Sequence, residues 1–477
     1  INIPQLVLLW WAFELNTLLN IGKIQSLTVR YQKVRYFMET TLTPYYEDDL
    51  LTPREIRLSM AGKWLGYGAL IYGGISLILA IAGIVAGVNS PALFSTLSGI
   101  VLASFTGVAD VGLLIAILLS VGNICASIWV MVGVVAHEFW SPLALLFWLV
   151  FNIGLLITLG YTPAIIAIGL SIYLFFSIRT DLRAFRMNPL MLKELRERMR
   201  GARAFVVLSV YLALMSGFAI LVYLIERNNS PITLTSVTGE LGRRLFGGIV
   251  GLELLLILFI APAFTAGAIS NERERKTYDL LHITLLPKPS FIIGKLQSAL
   301  SYIFLLLLAA IPLQSIAFLF GGVTEVEVAI AFIILMVMAI AFGTVGLYFS
   351  TTVERTVTAS VRAYALAFAI TVGFWLGLNI LTRFLTELFS GANATITAQG
   401  LLIYLQSLAD SLNPIVVALK SQELLVNQQG IFFYEMILRD SSRLPVIAPW
   451  LLFTVIYMLL SSMMVVMAVR RMRRVEA

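Results

Sequence analysis

Eleven runs of about twenty apolar residues recur along this chain, each long enough to cross about 30 Å of hydrocarbon. In lipid a backbone must satisfy its own N–H and C=O groups, so such runs fold as helices. The spans fall near 3–20, 64–88, 99–136, 142–159, 161–178, 204–225, 246–268, 291–320, 328–350, 361–382 and 447–469. The third is long for a single crossing and carries Asp110 and Asn123, so it is broken, re-entrant or two short helices; the charge pattern favours one net crossing. With 59% hydrophobic and 12% charged residues, the composition excludes a soluble globular domain. The fold class is all-α: a polytopic helical membrane protein.

Basic residues fix the orientation. If 21–63, 179–203, 270–295, 350–362 and the tail after 469 are cytosolic, those segments hold 26 of the 33 Lys and Arg. The net charge of +7 therefore reflects insertion and anionic headgroups rather than nucleic-acid binding. A single cysteine, Cys125, excludes an intramolecular disulfide. The chain opens on Ile1 with a span at once and no basic region before it, which implies a missing or processed start.

The charged segment Asn271 to Leu281 stands out between two spans. It puts Glu272, Arg273, Glu274, Arg275, Lys276 and Asp279 within nine residues. Asn271 and Glu274 have the spacing of a capping pair, and Glu272 and Lys276 lie one helical turn apart. This spacing predicts a short rigid helix ending before Pro287. Orientation needs only Lys or Arg, so the mixed charge points to a partner docked there rather than to a solvated loop.

A boundary near 187 divides the chain into halves of similar plan, 1–187 and 188–477. Thr52 and Thr284 each stand eleven residues before the Lys of a Gly-Lys pair, Gly62-Lys63 or Gly294-Lys295. Glu47 and Asp279 stand sixteen before it. Polar corners follow at His137-Glu138 and at Ser350–Arg355. The second half begins at Asn188-Pro189, a cap and first position for a helix with an apolar stripe of Met191, Leu195 and Met199. That helix is expected to lie on the inner membrane surface.

In Asn188-Pro-x3-Lys-Glu-Leu-Arg-x-Arg-Met-Arg-Gly201, in Ala261-Pro262 with Ile269-Ser-x-Glu-Arg-Glu-Arg275, and in Leu280-Leu281 with Gly294-Lys295, the chain resembles permease subunits of type-2 ABC exporters, the ABC-2 family. The resemblance covers roughly 188–477. It implies two exporter-like bundles in tandem, the first incomplete at its N-terminus, in the cytoplasmic membrane of a prokaryote. It also implies a separate ATPase subunit, engaged as a pair, with membrane lipids and further membrane subunits as other partners. Coupling to that ATPase would fall on Glu272, Arg273, Glu274, Arg275, Lys276 and Asp279. In the first half it would fall on Glu47, Arg54 and Glu55. There the positions aligned with Glu272–Arg275 read Thr40-Thr-Leu-Thr43, and the outer loop is almost absent.

No GxxxxGK[ST] motif occurs, so ATP hydrolysis belongs on another chain. No cofactor or metal is implied: His137, His282 and Cys125 do not converge in sequence. Glu253, Asp110 and Glu14 are the candidate path or gate residues, because an intramembrane carboxylate is costly unless satisfied. Glu253 could instead pair with Arg243 or Arg244, and Asp110 or Glu14 with Asn16, Asn123 or backbone. Gly247 and Gly251 have small-xxx-small spacing for helix packing. A non-transporting structural or assembly subunit on the same scaffold is the alternative from another class.

Overall fold

The computed structural model describes residues 53–89, 109–179, 185, 187–200, 202–229, 237–277, 288–389, 396–427, 430–437 and 443–474. The expected span at 3–20 lies outside them, as do Glu14, Glu47 and Asp279. The chain divides into two units, Ile1–Ile56 and Arg57–Ala477, and the helical bundle belongs to the second.

The described chain is mostly helical. The helices are α1 (Pro53–Asn89), α2 (Ala109–Val135), α3 (Ser141–Leu159), α4 (Ala164–Arg179), α5 (Pro189–Met199), α6 (Ala202–Asn229), α7 (Val237–Ala266), α8 (Ser270–Glu274), α9 (Lys288–Leu319) and α10 (Glu325–Thr352). Next come α11 (Thr356–Phe368), a π-helical segment Ala369–Phe374, α12 (Trp375–Phe389), α13 (Ile396–Asp410), α14 (Pro414–Val426) and, after a hairpin, α15 (Pro449–Arg474). Eight described helices are long and apolar enough to cross a membrane. Within the third expected span, the described residues form one helix from Ala109 to Val135 that continues through Asn123. Asn123 is no break because its Oδ1 accepts from Trp148 Nε1 at 3.1 Å on α3.

The all-α expectation needs one correction. Strands β1 (Phe433–Ile437) and β2 (Arg443–Ile447) form an antiparallel hairpin in the segment before α15, pairing Phe433 with Ile447 and Glu435 with Pro445. Aromatic and β-branched residues suit a pleated ribbon, and Pro445 is tolerated because a two-stranded ribbon has only edge strands. Trp450 Nε1 donates to Ile431 O at 2.8 Å and ties the hairpin to the start of α15. The preceding α13 and α14 are a bent pair, with 118° between their axes.

Three apolar cores position the site. α7, α9, α10 and α15 share the largest one, around Leu254, Phe342, Phe453 and Tyr457. In it α7 and α10 cross closely at Gly346, where a β-carbon would meet Pro262 Cα and O at 3.1 Å. Gly247 and Gly251 do not serve such a crossing. A β-carbon on Gly251 would meet nothing within 4 Å, and Gly247 faces the Gln422 side chain on α14. A second core joins α1, α2, α3 and α4 through Leu65, Tyr72, Leu145, Trp148 and Leu174. The third lies at the end of the bundle where the basic segments gather. It brings Val132 and Ala136, Leu190, Ile269, Ile292, Leu347 and Val465 together from both sides of residue 187.

Candidate functional site

A polar belt rests on that third core, and Lys295 is its centre. Seven residues into α9, Lys295 is only 3% exposed. Its ammonium pairs with Glu194 of α5 and, at 3.2 Å, with Glu272 of α8. It also lies 5.6 Å from the centre of the Phe291 ring. A buried cation is tolerated when carboxylates surround it, and here they come from two other helices. Burial holds the Glu194 carboxyl above the usual carboxylate range, with Lys295 pulling it back.

Asn188 forms the second node. Its side-chain oxygen caps α5 by accepting from Leu190 N at 3.0 Å, as the Asn-Pro pattern predicts. Its amide nitrogen donates to Glu138 Oε1 at 2.9 Å, Ser290 O at 2.6 Å and Ser290 Oγ at 3.0 Å. With its amide oriented to suit its neighbours, Gln297 donates to Glu138 Oε2 at 3.3 Å and accepts from Trp140 Nε1. Glu138 is 1% exposed, and burial raises its carboxyl pKa against the pull of Asn188 and Gln297. The close fit depends on Gly294, where a β-carbon would stand 2.6 Å from Asn188 Nδ2.

The turn from α7 into α8 is held from α10. Ser350 Oγ accepts from Ile269 N at 2.8 Å and from Ser270 N at 3.0 Å, satisfying two N–H groups at the start of α8. The expected capping pair of Asn271 and Glu274 is therefore not formed; the cap position is Ile269 and Asn271 lies inside the helix. The expected Glu272–Lys276 pair is replaced as well. The Glu272 carboxylate is taken by Thr277 Oγ1 and Lys295 Nζ. Lys276 has a left-handed backbone, φ 55°, just past the helix end, and is exposed.

Glu274 reaches across to α11, accepting from Thr356 N at 2.8 Å and Thr356 Oγ1 at 2.7 Å. That carboxylate caps an N-terminus whose own cap position, Arg355, has no side-chain bond. Arg273 Nη1 donates to Thr351 O at 3.1 Å. Glu272 and Glu274, the two acids of the described turn, thus both have internal partners. Asn271, Glu274, Arg275 and Lys276 are its exposed residues, and of these Glu274 is tied to α11.

The remaining candidates lie on α1, α2 and α7. Arg54 and Glu55 sit in the first turn of α1 and Asp110 at the start of α2, with side chains outside the described residues. Glu253 is fully buried on α7, where Gln314 Nε2 of α9 donates to its Oε2 at 2.7 Å. Its expected pairing with Arg243 or Arg244 is overturned: Arg244 bonds Glu240 at 2.6 Å and Arg243 bonds Gly322 O at 3.2 Å. Gln314 is thus a donor to the buried carboxylate.

Lys295, Glu194, Asn188 and Glu138 are the residues sequence reasoning missed as a site. Lys295 and Glu138 stood out only as landmarks of the two halves, and Asn188 only as a cap. Among the described residues, no three His, Cys, Asp or Glu side chains converge to hold a metal. The belt's bonds join α5, α8, α9, α10, α11 and the α2–α3 corner. No family model matches this chain, and no curated protein is similar enough to count as a relative.

Proposed function

We propose that this protein is the membrane permease subunit of an ABC exporter of the second type, driven by a separate ATPase. The observation that carries the reading is the attachment of the charged turn. Its exposed face of Asn271, Arg275 and Lys276 is backed by Glu272 on the buried Lys295 and by Glu274 on α11. A push on that face is transmitted to α5, α9 and α11 together, because the ties are charge-assisted. Rocking of helical bundles around a midplane path is how such a push becomes alternating access. The resemblance across 188–477 supplies the ATPase as the source of work.

The internal ties of Glu272 and Glu274 also favour a second reading, a structural or assembly subunit that keeps the scaffold without transport. Purification of the native complex in mild detergent separates the two. A P-loop ATPase that remains attached, and is released by charge reversal at Arg275 and Lys276, supports the permease. A complex without any nucleotide-hydrolysing subunit supports the structural role and overturns the first reading.

A further inference from the structure

The two Gly-Lys pairs have diverged in use. Lys295 is buried between carboxylates, whereas Lys63 on α1 opens into an apolar groove of about 380 Å³ between α1, α2 and α15. Ile128 and Met131 of α2 and Leu459 and Met463 of α15 form its walls, and Arg470 closes the same end as Lys63. Neither Lys63 nor Arg470 has an acidic partner among the described residues. Both cations line the groove, and they come from different helices.

Depth and charge identify an occupant. Leu459 and Arg470 are eleven residues apart on α15, about 16 Å at 1.5 Å per residue. One leaflet offers about 15 Å of hydrocarbon, half of the bilayer core. The positive-inside rule puts the Lys63–Arg470 end on the cytosolic side, where anionic lipids gather and basic pockets between helices hold their headgroups. Trp64 and Tyr67, 65% and 53% exposed, stand beside Lys63 at headgroup level, as interfacial aromatics do. Methionines at 131 and 463 give walls that adapt to a flexible chain.

We propose that this groove holds an anionic phospholipid of the cytosolic leaflet, with its phosphodiester between Lys63 and Arg470 and an acyl chain between α2 and α15. The lipid fills the space between α1, α2 and α15. This site stands whether or not an ATPase drives the protein.

The test is native mass spectrometry of the full chain in mild detergent, with phosphatidylglycerol and phosphatidylcholine of matched chains. Each basic residue at a membrane surface contributes about fivefold, so phosphatidylglycerol should be retained roughly thirtyfold better. Lys63→Gln with Arg470→Gln should abolish the preference, and Arg243→Gln at the opposite end should leave it intact. Ile128→Trp, which fills the apolar wall and spares both cations, should reduce phosphatidylglycerol retention. Equal retention of the two lipids, or a preference that survives the double substitution, overturns the proposal. So does full competition by inorganic phosphate, which would make it a simple anion site. Cross-linking of Met463→Cys to residues 1–52 would show the groove filled by the chain itself and would likewise overturn it.

Discussion

Lys295 Nζ lies 3.2 Å from Glu272 Oε1, so a lysine buried in α9 anchors the exposed charged turn that follows α7. The same ammonium holds Glu194 of α5, making one cation the meeting point of three helices.

Removing that cation should be among the costliest single changes at this end of the bundle. Lys295→Met leaves Glu194 and Glu272 without their shared partner, at a cost of about 3–5 kcal/mol. Adding Glu194→Gln removes one stranded charge and should restore part of the loss. Thermal unfolding in detergent of the two single variants and the double variant reads the coupling. Additive losses would count against a shared buried pair.

Asn188 and Gly294 should behave as one unit. Gly294→Ala puts a methyl 2.6 Å from Asn188 Nδ2 and displaces the amide from Glu138 and Ser290. Asn188→Ala loses the α5 cap, about 1 kcal/mol, and strands the buried Glu138 besides. The double variant should cost little more than the worse single variant. Melting temperatures that fall by the sum would show the two positions to be independent.

Much of this architecture was legible from hydrophobic runs, because lipid leaves the backbone few choices. α3, α6, α9, α10 and α15 lie close to their expected spans, α7 begins nine residues before its own, and the Asn188 cap follows from the Asn-Pro pattern. The hairpin after α14 was not legible, since its short strands sit in a segment with no membrane period to reveal them. The site was read in part. Charge density marked 271–276, but which carboxylate meets which cation depends on contacts between Lys295 and residues 23 and 101 positions away. Local spacing suggested Asn271–Glu274 and Glu272–Lys276; tertiary partners on α9, α10 and α11 replaced both.

Ser350 is expected to matter through the backbone. Ser350→Ala removes the acceptor of two buried N–H groups at Ile269 and Ser270, costing about 1–3 kcal/mol. Hydrogen exchange at those amides should accelerate while the middle of α10 stays protected. Unchanged protection would mean the serine does not hold the turn.

Acidification should favour the folded state through Glu138 and Glu194. Burial raises both carboxyls in the fold. Below the ordinary carboxylate pKa of about 4.3, folded and unfolded chains are both protonated there and nothing is lost. As pH rises past that value the unfolded chain releases its protons first, so this stability drains away until the raised folded pKa is passed. Melting curves should show a shallower loss in Glu138→Gln than in the parent as pH rises above the ordinary carboxylate range. An identical slope would contradict the assignment.

The coupling role of the turn is tested most directly by a photo-cross-linker at Lys276, exposed beyond the end of α8, in native membranes. The expected product is an adduct with a P-loop ATPase, absent when the cross-linker is moved to Leu319, 83% exposed at the opposite end of α9. No adduct at Lys276, or the same adduct from both positions, would contradict the account.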